Sequence, residues 1–357
     1  MATAASAEHP RILSIGTANP PRRYTQQEVL ELLGVSDSRT RGLFLNSHIL
    51  TRHLYLPEPR NGHVEPESQE ELIAKHKRYA LELGSLAVQR CLKPLGMEPK
   101  DIDYLACVSS TGYLCPGISA FLIKNEGFRD DIHRVDVLGM GCNAGMNTLN
   151  PVSSFARGRP GRFALMVCAE ICSAAYVHDG TFGTAIVNSL FGDGVVAVLL
   201  RAGEAPLPPS SIQGPHLLDF ESLIVTEAIH TMRFDLWKGR LSFFLDRDIP
   251  YYIGASVERP VYRLLERNGL KKRDIKHWVI HSGGRKVIDS IKYNIGLTDY
   301  DVRHTLSILR EYGNLSSGSF LFSLKRLQEE GATAPGDYGV LMAMGPGASI
   351  ETALVQW

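Results

Sequence analysis

Three residues of this 357-residue chain have the types and settings for covalent acyl transfer: Cys142, His281 and Asn314. Cys142 lies in Val-Leu-Gly-Met-Gly-Cys-Asn-Ala-Gly-Met-Asn (137–147). There an apolar strand pattern ends in Gly-x-Gly and a helical pattern begins directly after the cysteine. A thiol so placed faces the positive end of a helix and the free N–H groups of its first turn, and both favour thiolate. The flanking glycines let the backbone turn sharply and let a substrate approach. His281 ends the apolar run His-Trp-Val-Ile-His and precedes Ser282-Gly283-Gly284; Asn314 lies in Tyr-Gly-Asn-Leu-Ser-Ser-Gly (312–318). Singly, each has a plainer reading: a buried cysteine, a structural histidine, a helix-capping asparagine. Together they make a nucleophile with two donors. Imidazole Nε2–H and carboxamide N–H₂ can both donate to a thioester oxygen as it becomes negative, or to the enolate left when a malonyl thioester loses CO₂. That chemistry needs no metal or redox cofactor.

The elements that must position these residues alternate. Arg11–Ala18 reads as an opening strand, and helices are expected over 25–33 and 68–93. Tyr104–Ser109, 133–139, Phe163–Cys168 and Val195–Leu200 read as strands, the continuous apolar runs among them as strands buried on both faces. Helices are expected near 117–127 and 143–157. Ala202–Pro215, with Pro206, Pro208, Pro209 and Pro215, is the best linker candidate. Beyond it, strands are expected near 217–226, 241–245, 277–281, 338–344 and 349–356, with helices near 251–268, 284–295, 299–311 and 316–329. Alternation of this kind argues for a layered α/β fold. Both parts place a polar residue where a buried strand passes through a Gly-bearing turn into a helix; no repeat is visible in the sequence itself.

Composition excludes several classes. Lys+Arg and Asp+Glu are 38 each, and no basic block or aromatic-basic stripe appears, so neither nucleic acid nor a membrane surface is an expected partner. No apolar run reaches the roughly 18 residues of a membrane span, and the N-terminal residues show no secretory pattern. The six cysteines (91, 107, 115, 142, 168, 172) form no Cys-x-x-Cys, which disfavours zinc and suits a reducing, cytoplasmic setting.

Six ordered motifs carry a resemblance across nearly the whole chain: Gly-Cys-Asn-Ala-Gly (141–145), Val-Cys-Ala-Glu (167–170), Ser-Leu-Phe-Gly-Asp-Gly (189–194), His-Ser-Gly-Gly (281–284), Tyr-Gly-Asn-Leu-Ser-Ser-Gly (312–318) and Met-Gly-Pro-Gly-Ala-Ser-Ile-Glu (344–351). The chain resembles the type III polyketide synthases, the thiolase-fold group that includes chalcone synthase. The resemblance implies a layered αβαβα fold of two similar halves, 1–205 with the cysteine and 206–357 with the histidine and asparagine. It implies a homodimer acting on malonyl-CoA without a cofactor. Cys142 matches the acyl-accepting nucleophile; His281 and Asn314 match the residues that promote decarboxylation and hold the thioester carbonyl. Phe191 and Phe243 match two gatekeepers between the CoA tunnel and the cavity. Ser110, Thr111, Cys172 and Ser316 fall where the family lines its cavity. Cys115 falls where a partner subunit reaches in, and Gly345 and Gly347 fall in a loop that shapes the pocket.

Within the family, segments such as Phe-Leu-Asn-Ser (44–47) and Ser-Phe-Phe-Leu-Asp (242–246) resemble bacterial members that use malonyl-CoA as both starter and extender. Those members join four units and close the tetraketide to 3,5-dihydroxyphenylacetyl-CoA, an antibiotic precursor, and helper dehydratases are possible partners. Departures from the plant enzymes are Asn143 after the cysteine, Cys172 for a threonine and Ser282 for a proline, all expected near the pocket. The plant residues that hold the CoA phosphates do not map one by one; Arg52 lies in about the right segment. Rival readings are a family member with another starter (alkylresorcinol, pyrone or dihydroxybenzoate), a ketoacyl-carrier-protein synthase, or an inactive thiolase-fold subunit.

Overall fold

A computed structural model describes residues 9–177, 179, 181–203, 214–237 and 239–357. The stretch 204–213, which holds most of the expected linker and the expected boundary at 205/206, lies outside the described residues.

Among the described residues nine strands form one sheet. Its spatial order is Ile275–Ile280, Tyr338–Gly345, Ser349–Gln356, His216–Ile224, Arg11–Ala18, Gly194–Arg201, Ala164–Glu170, Tyr104–Ser109, His133–Leu138. The sheet is nearly two sheets. Strands Arg11–Ala18 and His216–Ile224 meet only at the pair Arg11↔His216. On each side of that seam the pairing runs antiparallel, antiparallel, then parallel. The side that begins with Arg11–Ala18 adds one more parallel strand, His133–Leu138.

The side chains of these strands explain the layering. Leu165, Val167 and Ala169 pack with Leu83, Ala87 and Leu122 of the outer helices Gln69–Leu92 and Ile118–Glu126. Their neighbours Ala164, Met166 and Cys168 face the other way, onto Leu149 and Val152 of helix Ala144–Gly158 and Phe320 and Leu324 of helix Ser319–Glu330. On the far side Leu341 and Ala343 join that central layer, while Val340 and Met342 face the helices Ile249–Ser256, Glu258–Arg267 and Arg285–Ile295. Period-two alternation in strands with no polar face thus produces five layers, αβαβα. Among the described residues no helix is long and apolar enough to cross a membrane.

Most expected elements stand within a few residues of their expected ends. The helix expected over 251–268 is two helices, because Pro260 has no N–H to give Ser256. The helix expected from 299 begins at Arg303; before it, Thr298 and Asp301 close a turn by reciprocal hydrogen bonds. Two short helices, Ser38–Leu45 and Phe182–Leu190, and the first strand of the hairpin Met232–Trp237/Arg240–Leu245 were not expected. Both helices are capped by side chains, Asp37 on Thr40 N–H and Thr181 on Thr184 N–H.

Candidate active site

Cys142 sits in a 3₁₀ turn, Gly141–Asn143, that feeds helix Ala144–Gly158. The turn is held from two sides. Gly141 has φ +72°, and a Cβ there would lie 2.3 Å from Pro346 Cδ, so the Gly345–Gly347 loop packs directly against the cysteine's turn. A Cβ on Gly145 would lie 2.2 Å from Ser317 O. Glycine therefore lets the start of this helix touch the turn Ser316–Gly318, which brings Asn314 and Ser316 to the sulfur.

Asn314 and Ser316 both hydrogen-bond Cys142 Sγ. The carboxamide is oriented by its own acceptor: Asn314 Oδ1 takes the Ser316 N–H at 2.8 Å and the Ser319 hydroxyl at 3.4 Å. That leaves Nδ2 for the sulfur and for Gly283 O at 3.4 Å. Ser316 pays with φ +49°, a conformation non-glycine residues seldom hold outside functional turns. His281 follows strand Ile275–Ile280, anchored by its N–H to Met342 O at 2.8 Å. Its Nδ1 is buried without a hydrogen-bond partner. A Cβ on Gly283 would approach its Nε2 to 3.2 Å, so the glycine keeps that edge of the ring clear.

The electrostatics correct one expectation. The helix mouth is not the dominant influence on Cys142: burial pushes its thiol up to about 12, outweighing the bonds from Ser316 and Asn314, and nearby Glu170 raises it further. Burial likewise pushes His281 down to about 3. Helix-terminus and hydrogen-bond effects are smaller here than desolvation, which disfavours both the thiolate and the imidazolium. Glu170, also buried, is pushed up to about 7 by desolvation, against hydrogen bonds from Ser317 and Ser110 N–H.

Cys142, His281 and Asn314 all line one cleft of ≈ 540 Å³ that opens to solvent. Phe191 and Phe243 also line it, packed edge to face with centroids 5.8 Å apart. Behind them is an inner cavity of ≈ 30 Å³, walled by Ser110, Thr111, Cys142, Cys172 and Ser316 among others. Phe234, not expected at the site, also walls it. Phe234 pairs directly with Phe243 across the hairpin, its ring 4.9 Å from that of Phe243. The alternation Met232-x-Phe234-x-Leu236 before Lys238-Gly239 was the signal for it.

Other expected residues stand elsewhere. Asn143 is buried, but its Nδ2 binds Ser349 Oγ and it packs on Gly345, away from both spaces. Ser282 is buried with its hydroxyl on Gly313 O. Gly345 and Gly347 do not line the cavity; their loop acts on it through Pro346 against Gly141. Cys115 is exposed and lines neither space. Arg52 is no phosphate ligand. It is fully buried, and its guanidinium donates to Tyr176 Oη, Asn188 O, Phe191 O and Gln26 Oε1. It holds the Phe191 backbone instead.

A five-layer fold with a buried Cys-His-Asn group at the end of a cleft is that of a thiolase-like condensing acyltransferase, and comparisons with known proteins narrow the class. The structure superposes on a polyketide synthase, PKS-I of the brown alga Ectocarpus siliculosus, with a TM-score of 0.89 at 26% identity over 98% of each chain. It superposes on the 1,3,6,8-tetrahydroxynaphthalene synthase of Streptomyces coelicolor A3(2), a bacterial type III polyketide synthase, with a TM-score of 0.86 at 25% identity over 97% of this chain and 99% of that one. The models for the N- and C-terminal domains of chalcone and stilbene synthases match residues 2–204 and 222–357. The chain belongs to the chalcone and stilbene synthase family and is a type III polyketide synthase. It is 53% identical to the 3,5-dihydroxyphenylacetyl-CoA synthase of Streptomyces toyocaensis, over 98% of this chain and 90% of that protein. It is 51% identical to the enzyme of that name from Amycolatopsis balhimycina, over 97% and 93%.

Proposed function

We propose that the chain condenses four malonyl-CoA to 3,5-dihydroxyphenylacetyl-CoA, with Cys142, His281 and Asn314 as its catalytic residues. The observation that carries the reading is the meeting of Cys142, His281 and Asn314 on one cleft, with Phe191, Phe234 and Phe243 walling the small space beside the sulfur. The identity to relatives with that named product supports the rest.

In this reading the imidazole of His281 takes the thiol proton as Cys142 Sγ attacks the thioester carbon. The tetrahedral oxyanion is held by the Asn314 carboxamide and the imidazolium, CoA leaves as its thiol, and the acyl group stays on sulfur. A malonyl-CoA then enters the cleft and loses CO₂. The enolate oxygen takes the same two donors, and its carbon attacks the Cys142 thioester and frees the thiolate; the lengthened chain, now on CoA, returns to Cys142 by the same acyl transfer, with CoA thiol leaving, before the next round. Four malonyl groups hold twelve carbons and the dihydroxyphenylacetyl group holds eight, so four CO₂ leave. The terminal methyl carbon closes on the carbonyl nearest the thioester-bearing methylene, and one water is lost. Helper dehydratases of the same pathway would act at that step, and the product would serve antibiotic assembly.

We place the enzyme in the cytoplasm as a homodimer whose two halves, 1–205 and 206–357, each carry part of the site. Support for the dimer comes from the loop after Ser110 and Thr111, which presents Tyr113 and Cys115 to solvent beside the cavity wall. Incubation with malonyl-CoA as sole substrate tests the assignment: CO₂ and an aromatic thioester are expected without another starter. A requirement for a second acyl-CoA would refute it.

A further inference from the structure

The cleft that ends on Cys142 has two unlike walls. One, from helix Ser38–Leu45 and the turn after it, contributes Gly42, Leu43, Asn46, Ser47 and His48, with no lysine or arginine among them. The cations nearest on that side are engaged. Arg39 lies over the Phe182 ring at 4.0 Å, Arg41 donates to Gln27 and Val35, and Arg52 is buried. The other wall brings Arg247, Arg285 and Lys286 to the solvent end. Arg285 is paired with Asp289 at 2.8 Å, and Lys292 also faces Asp289 at 3.5 Å. Lys286 is exposed and has no ion pair among the described residues. Arg247 is 90% exposed, and Asp248 is 3.8 Å from its Nε. Asp246 also lines the cleft, its Oδ1 taken by the Asp248 N–H. Between this rim and Cys142 the walls are apolar, formed by residues such as Leu190, Met232, Leu245 and Ile253.

We infer that Lys286 and Arg247 bind the phosphates at the nucleotide end of the CoA thioester. This rests on the reading of Cys142 as acceptor of an acyl group from CoA. A CoA thioester is an uncharged arm between an acyl group and a multiply charged phosphate end, and the cleft has the same order of surfaces from sulfur to solvent. Two cations with little internal competition, at its open end, are the groups that gain most from a phosphate. Helix Arg285–Ile295 starts beside Lys286 with no side chain capping its first turn, which adds N–H groups to the same rim.

The test follows protection of Cys142 from iodoacetamide in the full-length protein, read by peptide mass spectrometry. CoA and pantetheine, which lacks the nucleotide and all phosphates, are the two protecting probes. In the double variant Lys286→Glu/Arg247→Glu, the CoA concentration for half-protection rises about tenfold or more, while that of pantetheine stays at the wild-type value. Lys286→Arg alone keeps the wild-type CoA value. Unchanged CoA protection in the double variant overturns the assignment. So does equal loss of pantetheine protection, since the residues would then merely shape the cleft, and so does failure of CoA to protect the wild-type thiol. The test does not depend on product: a protein that makes no aromatic thioester but shows this pattern loses the proposed reaction and keeps the phosphate site.

Discussion

Phe191 and Asn314 are joined by a parallel backbone bridge. The Asn314 N–H donates to Leu190 O at 2.9 Å, and the Gly192 N–H donates to Asn314 O at 3.0 Å. One side chain of the bridged pair walls the inner cavity, and the other hydrogen-bonds the Cys142 sulfur. Arg52 fixes the same bridge from behind by donating to Phe191 O at 2.8 Å. Phe191 and Asn314 are therefore tied together through the backbone, although they come from distant parts of the chain.

That bridge depends on Gly192. A Cβ there would lie 2.2 Å from Tyr312 O, a backbone atom that cannot swing aside. Gly192→Ala is expected to cost about 2 kcal/mol in urea unfolding and to lower turnover at least about tenfold through misplacement of Asn314. Wild-type turnover with the full stability loss would show that the bridge does not position the site.

Asn314→Ala removes a donor to the sulfur and, in our mechanism, to the oxyanion. A fall in kcat of about 10²-fold or more is expected, the scale of losing one such donor. Malonyl-CoA decarboxylation, measured as CO₂ release, should fall with it. A fall in condensation with unchanged CO₂ release would remove Asn314 from the decarboxylation step.

Phe234→Ala should open the inner cavity, since the ring packs on Phe243 and walls that space. Because Phe234 is 41% exposed, the stability cost is expected to be small, about 1 kcal/mol. Competition between malonyl-CoA alone and malonyl-CoA with a hexanoyl-CoA starter reads the change. The variant should form hexanoyl-primed products that the wild type does not. Identical product profiles would mean that Phe234 does not limit the starter.

Glu170 gives a pH signature. Its carboxyl, pushed up from 4.5 to about 7, keeps a proton in the folded state that the unfolded chain has released. Its contribution to stability therefore falls as pH rises through that window, by roughly 3 kcal/mol in all. Glu170→Gln removes this loss. The stability of the variant minus that of the wild type should climb from pH 4.5 to 7 and level off above. Parallel stability curves would mean that Glu170 titrates normally.

Much of this site was legible in the sequence because each part lies in a local signal. Cys142, His281 and Asn314 each follow or open an element whose apolar run and glycines are contiguous. The strands were readable because burial on both faces leaves no polar position to interrupt them. What escaped was non-local. The charge state of Cys142 depends on how much protein surrounds the sulfur, which no flanking residue reports. Arg52 stands in a segment that suggested phosphate, yet its partners come from three separate places in the chain: Gln26, Tyr176 and the helix end that holds Asn188 and Phe191. Phe234 became a wall of the cavity only through its cross-strand pairing with Phe243.

The central claim is that Cys142 carries a chain built from malonyl units alone. Mass spectrometry of the protein, acid-quenched during turnover with fully ¹³C-labelled malonyl-CoA and then digested, tests it most directly. The account predicts labelled acyl groups on the Cys142 peptide, growing in two-carbon ketide steps, and none in Cys142→Ala. An unmodified Cys142 peptide while product accumulates, or the same adducts on Cys172, would contradict it.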